Sequence, residues 1–194
     1  MKLTRFLPLI AAALLAAPTI QAGEGGPYVS LDGGAFFMDD IGTPLGSLDT
    51  DTGFGINAAV GYHLADLSLL LELNSGYYNA DFGGKLRGVN VNGDLDLVPI
   101  MVNAKFEVPL VGCLSLELGA GLGIVYTHAD ASASFRGFSA SASDSDWNFG
   151  FQALGGLNFK LCEAASLRAG YRFFYVDEDD IQGHFLGGGL TVRF

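Results

Sequence analysis

The chain has 194 residues, 28 of them glycine, only 16 % charged residues, and a formal net charge of −11. This is too apolar for a disordered chain and too glycine-rich for a helical bundle. The acid excess also argues against nucleic acid as a partner, because phosphate contacts need Lys and Arg.

In chain order, the first element is a leader. Lys2 and Arg5 precede an apolar run over residues 6–17, followed by Pro18 and the stretch TIQA. A basic start, an apolar middle and a small residue at the end define a secretory signal, with cleavage expected after Ala22. The expected division is therefore a signal peptide over 1–22 and one domain over 23–194. After residue 22 no apolar run approaches the ~18 residues that a transmembrane helix requires.

From there the hydrophobic period is close to two, the signature of strands. Eight strands are expected, at 27–37, 53–63, 67–78, 94–108, 114–127, 146–160, 166–177 and 184–194. The sixth is the plainest. Trp147, Phe149, Phe151, Ala153, Leu157, Phe159 and Leu161 share one face, and Asn148, Gln152, Asn158 and Lys160 share the other. Three connections are tight, near Ala65, Pro109 and Cys162. The other four, 38–52, 79–93, 128–145 and 178–183, are longer and polar. Short turns at one end and long loops at the other describe an up-and-down barrel in an outer membrane. The near-mirror stretch SASFRGFSAS further predicts a hairpin turning at Arg136-Gly137. In the fourth strand the apolar residues change parity at Val98-Pro99, which predicts a β-bulge there.

Alternation alone leaves the faces open, since a secreted ligand-binding barrel of lipocalin type alternates the other way round. Glycines on the polar face favour a narrow interior on that side. Phe37, Phe54, Tyr77, Tyr126, Trp147 and Tyr175 near the long loops, with Tyr62, Phe106, Phe159 and Phe194 near the short turns, read as two aromatic girdles. The apolar face is then outside, in lipid. The polar face makes an interior network of Asp32, Glu72, Lys105, Glu107, Glu117, Lys160, Arg168, Arg172 and Arg193. Buried charges need partners, so a structural plug is favoured over an ion gate or narrow pore.

Cys113 and Cys162, in an exported chain at the short-turn end, are expected to form a disulfide. The acidic residues Asp39, Asp40, Asp49, Asp51, Asp177, Glu178, Asp179 and Asp180 favour solvated loops over a Ca²⁺ or Mg²⁺ site, since their spacing fits no calcium-loop pattern. His63, His128 and His184 stand on separate segments, and no catalytic motif accompanies them. No metal, cofactor or enzymatic activity is expected.

The fourth-strand stretch DLVPIMVNAKFEVP, the fifth-strand stretch ELGAGLGIVY and the terminal LTVRF together resemble the small eight-stranded outer-membrane barrels of the OmpA/OmpX type. The resemblance implies an integral outer-membrane protein of a Gram-negative-type bacterium, monomeric, in contact with lipid and lipopolysaccharide. It further implies a structural or surface-interaction role through the long loops. In that family the terminal aromatic strand is read by the barrel assembly machinery, a role that falls here on Phe194. Nothing matches the peptidoglycan-binding domain of full-length OmpA, so that attachment is not carried over.

Overall fold

The computed structural model describes residues 25–39, 41–43, 46–86, 89–135, 138–177 and 181–194. The expected signal peptide, the expected turn at Arg136-Gly137 and residues Asp40, Glu178, Asp179 and Asp180 lie outside them.

Eight long antiparallel strands form the wall. They are β1 (Gly26–Met38), β4 (Gly53–Leu64), β5 (Leu69–Leu86), β6 (Val89–Val111), β7 (Leu114–Phe135), β8 (Phe138–Lys160), β9 (Ala165–Val176) and β10 (Ile181–Arg193). Two short strands, β2 (Ile41–Thr43) and β3 (Gly46–Thr50), branch from the first connection. The order β5-β4-β1-β10-β9-β8-β7-β6 returns to β5 through a direct β5–β6 pairing, so the wall is a closed ring. The seam between first and last strands runs from Tyr28↔Arg193 to Met38↔Gly183. Closure leaves no unpaired edge in hydrocarbon, which backbone polar groups there cannot tolerate. Among the described residues no helix is long and apolar enough to cross a membrane.

The lower wall is apolar outside and polar inside. Leu31, Val60, Val102, Leu122 and Leu186 are each more than half exposed, while Asp32, Asn57, Glu72, Asn103, Lys105 and Gln152 are buried. This orientation overturns the lipocalin-like alternative, whose apolar face would line the interior.

The upper wall is the reverse, and here the structure corrects the sequence reading. No bulge exists at Val98-Pro99. Pairing with β7 runs unbroken through Val98↔Tyr126 and Pro99↔Val125, and the register shift lies at Pro109/Val111. Against β5 the register is the same at Ser75↔Ile100 and at Tyr78↔Leu97. Odd residues of β6 point inward along most of its length. What changes is the solvent. Below Pro99 the outside is lipid, so Ile100 and Val102 face out. Above it the outside is water, so Asp94 and Asp96 face out and Leu95 and Leu97 turn into the lumen. The ladder with β5 lapses opposite Val98-Pro99, in keeping with a proline that has no N–H to donate.

The expected polar loop 79–93 is largely strand, and the hairpin expected within 128–145 is paired as the near-mirror stretch implies. β5 and β6 continue to Leu86 and from Val89, and β7 and β8 pair as far as Ser134↔Ser139 and Phe135↔Phe138. These four strands run about 30 Å along their length past the outer girdle, at ~3.3 Å per residue.

Candidate functional site: the lumen and the projecting sheet

The lumen is filled in layers. At the top is an apolar core of Met38, Ala80, Phe82, Leu95, Leu97, Val125 and Val176. Below it Phe36, Tyr78, Phe174 and Phe185 lean across the bore. The Tyr78 ring centroid lies 4.8 Å from Phe174, 5.2 Å from Phe36 and 5.4 Å from Phe185. The wall beside these rings has no side chains. Gly156, Gly170, Gly187, Gly34 and Gly55 stand in register on β8, β9, β10, β1 and β4. A Cβ on Gly187 would come 2.7 Å from Phe185 Cε1, and one on Gly55 would come 2.7 Å from Tyr78 Cε1.

The next layer is ionic. Lys105 Nζ lies 2.8 Å from Glu72 and 3.3 Å from Glu117. The Tyr28 hydroxyl and the Asn103 amide also donate to Glu72, at 2.9 and 2.8 Å. Arg168 joins Asp32 to Glu117, the latter at 3.5 Å. Arg172 donates to Asn74 at 2.9 Å and to Gln152 at 3.2 Å, and passes 3.9 Å from Asp32. A second cluster closes the periplasmic end. There Glu107 accepts from Arg193 at 2.9 Å and from Ser115 at 2.6 Å, with His63 at 3.8 Å.

Eight of the nine charges expected inside thus stand in these two clusters. Lys160 does not. Its parity is inward, but it lies at the rim, exposed, and among the described residues it joins neither cluster. His63, a lone histidine in the sequence, and Tyr28 both belong to the clusters, and Tyr28 went unnoticed in the sequence. So did the aromatic layer, although Phe36, Tyr78, Phe174 and Phe185 all carry inward parity near the long-loop ends.

The expected disulfide is also corrected. Cys113 and Cys162 are free and exposed. The register sets Leu114 opposite Phe159, and the Lys160 N–H donates to the Cys113 carbonyl at 2.8 Å. Cys113 therefore faces Lys160, two residues short of Cys162. Diagonal neighbours sit ~7–8 Å apart, beyond the ~3.5–4.5 Å Cβ separation that a disulfide needs.

Outside the membrane the projecting sheet is acidic. Asp81↔Asp94 and Asp94↔Asp130 are direct cross-strand pairs on the water-facing side, and the Asp51 N–H donates to the Asp81 carbonyl at 2.8 Å. The Asp81 carboxyl is pushed above the usual range, first by its hydrogen bond with Asp94 and then by desolvation and the neighbouring charges. At the girdle, Asp96 accepts from Tyr77 at 2.6 Å and from Asn79 at 2.8 Å.

Residues 7–194 match the family model for the outer membrane protein beta-barrel domain. The chain belongs to that family. It is an outer-membrane protein of the kind found in Gram-negative-type bacteria, seated in the lipid bilayer with lipopolysaccharide around it. No curated protein matches it in sequence. In fold it is similar to Neisserial surface protein A at 21 % identity and TM-score 0.56, over 87 % of this chain and 97 % of that one. It is similar to OprG of Pseudomonas aeruginosa at 15 % and 0.57, over 90 % and 100 %. It is also similar to Ail of Yersinia pestis, solved with the heparin analogue sucrose octasulfate, at 17 % and 0.52, over 87 % and 99 %.

Proposed function

We propose that this family member is a non-conducting membrane platform that presents its projecting four-stranded sheet to the cell exterior, with a role in surface interaction. The observation that carries the reading is the filled bore. Phe36, Tyr78, Phe174 and Phe185 cross it above a layer of paired charges. That arrangement weighs against the narrow-pore alternative, because an ion would have to displace an aromatic layer as well as break buried pairs. Above the membrane the sheet has its own apolar core, which suits a rigid display better than a loose loop. Ail was solved with a polyanion. The outward row of Asp81, Asp94 and Asp130 suits a ligand of the opposite charge.

Phe194 is proposed as the residue read during assembly. Its N–H donates to the Pro27 carbonyl at 3.0 Å, at the last step of the closing seam.

Planar-bilayer recording together with impermeant labelling of whole cells tests the platform reading. The expected result is no conductance by the wild-type barrel and labelling of cysteines placed in the projecting sheet. Steady single-channel currents from the wild type, or a projecting sheet closed to the label, would overturn it.

A further inference from the structure

Two neighbouring turns, β6–β7 and β8–β9, stand at the periplasmic rim. Gly112, at φ +57°, lets the chain reverse in two residues between Val111 and Leu114, and Cys113 is the second of them. The other turn follows Lys160 at the end of β8. There the N–H groups of Leu161 and Cys162 both donate to the Ala165 carbonyl, at 2.9 and 3.1 Å. The Lys160 N–H donates to the Cys113 carbonyl at 2.8 Å and ties the two turns together. Each turn therefore carries one thiol at a fixed position. Both thiols are free and exposed.

The spacing that forbids a disulfide suits a bridging ion. A disulfide joins its sulfurs at ~2.05 Å and needs Cβ atoms ~3.5–4.5 Å apart. A metal held in line by two thiolates sets the sulfurs about 4.6 Å apart, from two metal–sulfur bonds of ~2.3 Å. The bridge thus reaches about 2.5 Å further, to Cβ separations of ~6–7 Å. Diagonal strand neighbours sit ~7–8 Å apart, with their Cβ atoms somewhat closer. Among the described residues no group of three or more His, Cys, Asp or Glu gathers as metal ligands. An ion that demands four ligands, such as Zn²⁺, therefore has no site at this rim. A soft ion that is content with two thiolates has one. Glu163, next to Cys162 in the turn, offers a hard oxygen that such an ion disfavours.

We propose that Cys113 and Cys162 form a two-coordinate site for Cu(I) at the periplasmic rim, with the ion lying between the two turns. Binding changes no oxidation state. Each thiol gives up its proton to water, and the thiolate sulfur donates an electron pair to the ion. The resulting complex of one Cu(I) with two thiolates carries a net negative charge. Lys160 stands where it can offset that charge. It lies opposite Cys113, is exposed, and joins neither interior cluster. A cation beside a thiol also favours the thiolate, which is the form that binds metal. Lys160, which has no part in filling the lumen, thus acquires a role at the rim. The site faces the periplasm, at the opposite end of the barrel from the projecting sheet, and stands independently of the platform reading.

The experiment uses the reduced barrel in lipid nanodiscs, with oxygen excluded. Cu(I) is the probe, titrated against a coloured Cu(I) chelator. The expected result is one Cu(I) per barrel, release of protons on binding, and both thiols shielded from alkylation. X-ray absorption at the copper edge should find two sulfur neighbours. Cys113→Ser and Cys162→Ser should each lower the affinity by more than about 100-fold, beyond the usual loss of an outer-shell partner, and Lys160→Gln by about tenfold. All three variants should keep the heat-dependent gel shift. Zn²⁺ at equal concentration should leave the copper in place. Cu(I) held as tightly by either serine variant as by the wild type would overturn the proposal, as would no binding to the wild type. So would one ion per two barrels, which would make the site a contact between copies. A Cys113–Cys162 disulfide formed in air without metal would also overturn it, because the turns would then stand closer than a metal bridge requires.

Discussion

The Lys105 ammonium lies 2.8 Å from the Glu72 carboxylate, and each side chain is 3 % exposed or less. Glu117 shares the same ammonium at 3.3 Å. One cation therefore holds two buried anions together inside the barrel. Lys105→Met should destabilise the protein by about 3–5 kcal/mol, because breaking one member of a buried ionic group leaves charge uncompensated. Denaturant unfolding in lipid vesicles measures this. Lys105→Met combined with Glu117→Gln should recover part of the loss. A single mutant as stable as the wild type would show that the network contributes nothing to stability.

The seal of the bore is predicted to be aromatic. Tyr78→Ala with Phe185→Ala removes two of the four rings that meet above the glycine row. Planar-bilayer recording of this double mutant should show small conductance steps that the wild type lacks. Glu117→Ala alone should stay closed. Conductance in Glu117→Ala with none in the double mutant would reverse the assignment.

The glycine row makes its own prediction. Gly187→Val places carbons where Phe185 already lies. Overpacking of this kind costs about 1–3 kcal/mol. Pairing Gly187→Val with Phe185→Ala should restore only the part owed to the ring, as read from thermal unfolding of the two variants, because the Gly33 carbonyl also lies 2.7 Å from the added Cβ.

Both cysteines should react without reduction. Mass spectrometry of the barrel after alkylation under non-reducing conditions is expected to find Cys113 and Cys162 each modified. An unmodified pair linked to each other would mean that the periplasmic turn departs from the register Leu114↔Phe159.

The outward aspartate row predicts a pH effect confined to the projecting sheet. Asp81 has a raised pKa, so the folded sheet holds its proton more tightly than the unfolded chain does. The stability from that proton is complete below the ordinary Asp value and is lost as the pH rises through the raised one. Amide-exchange protection in β5 and β6, corrected for intrinsic rates, should fall over that window. Asp81→Asn should flatten the dependence and raise protection at neutral pH. Equal pH profiles for the two proteins would count against the Asp81–Asp94 coupling.

Sequence reasoning reached the wall of the barrel because lipid and lumen impose opposite chemistry on alternate residues. Leu31 and Asp32, or Val102 and Asn103, declare their sides by themselves. It stumbled where the outside medium changes. Leu95 and Leu97 look out of phase only if lipid is assumed along the whole of β6. Once water replaces lipid, the same backbone parity demands leucine inside. Phe36, Tyr78, Phe174 and Phe185 carried the same signal and were passed over because inward parity was equated with polarity. Of the ionic clusters, charge and parity picked out eight members. Lys160 failed because parity says which way a residue points and nothing about how near the rim it stands. The disulfide failed because two cysteines at one end of a hairpin still need matched register.

The reversal at Pro99 also acts as a depth stop. Were the barrel to sink by two residues, Asp96 and its neighbours on the outer face would enter hydrocarbon. A lipid-facing charge costs ~2–4 kcal/mol at the midplane, less toward the interface. Were it to rise by two, Ile100 and Ile124 would leave lipid for water, at ~25 cal/mol per Å² of apolar surface. Both displacements meet a restoring force, and many strands supply it at once. The height at which the projecting sheet stands above the cell is therefore written into the wall of the barrel.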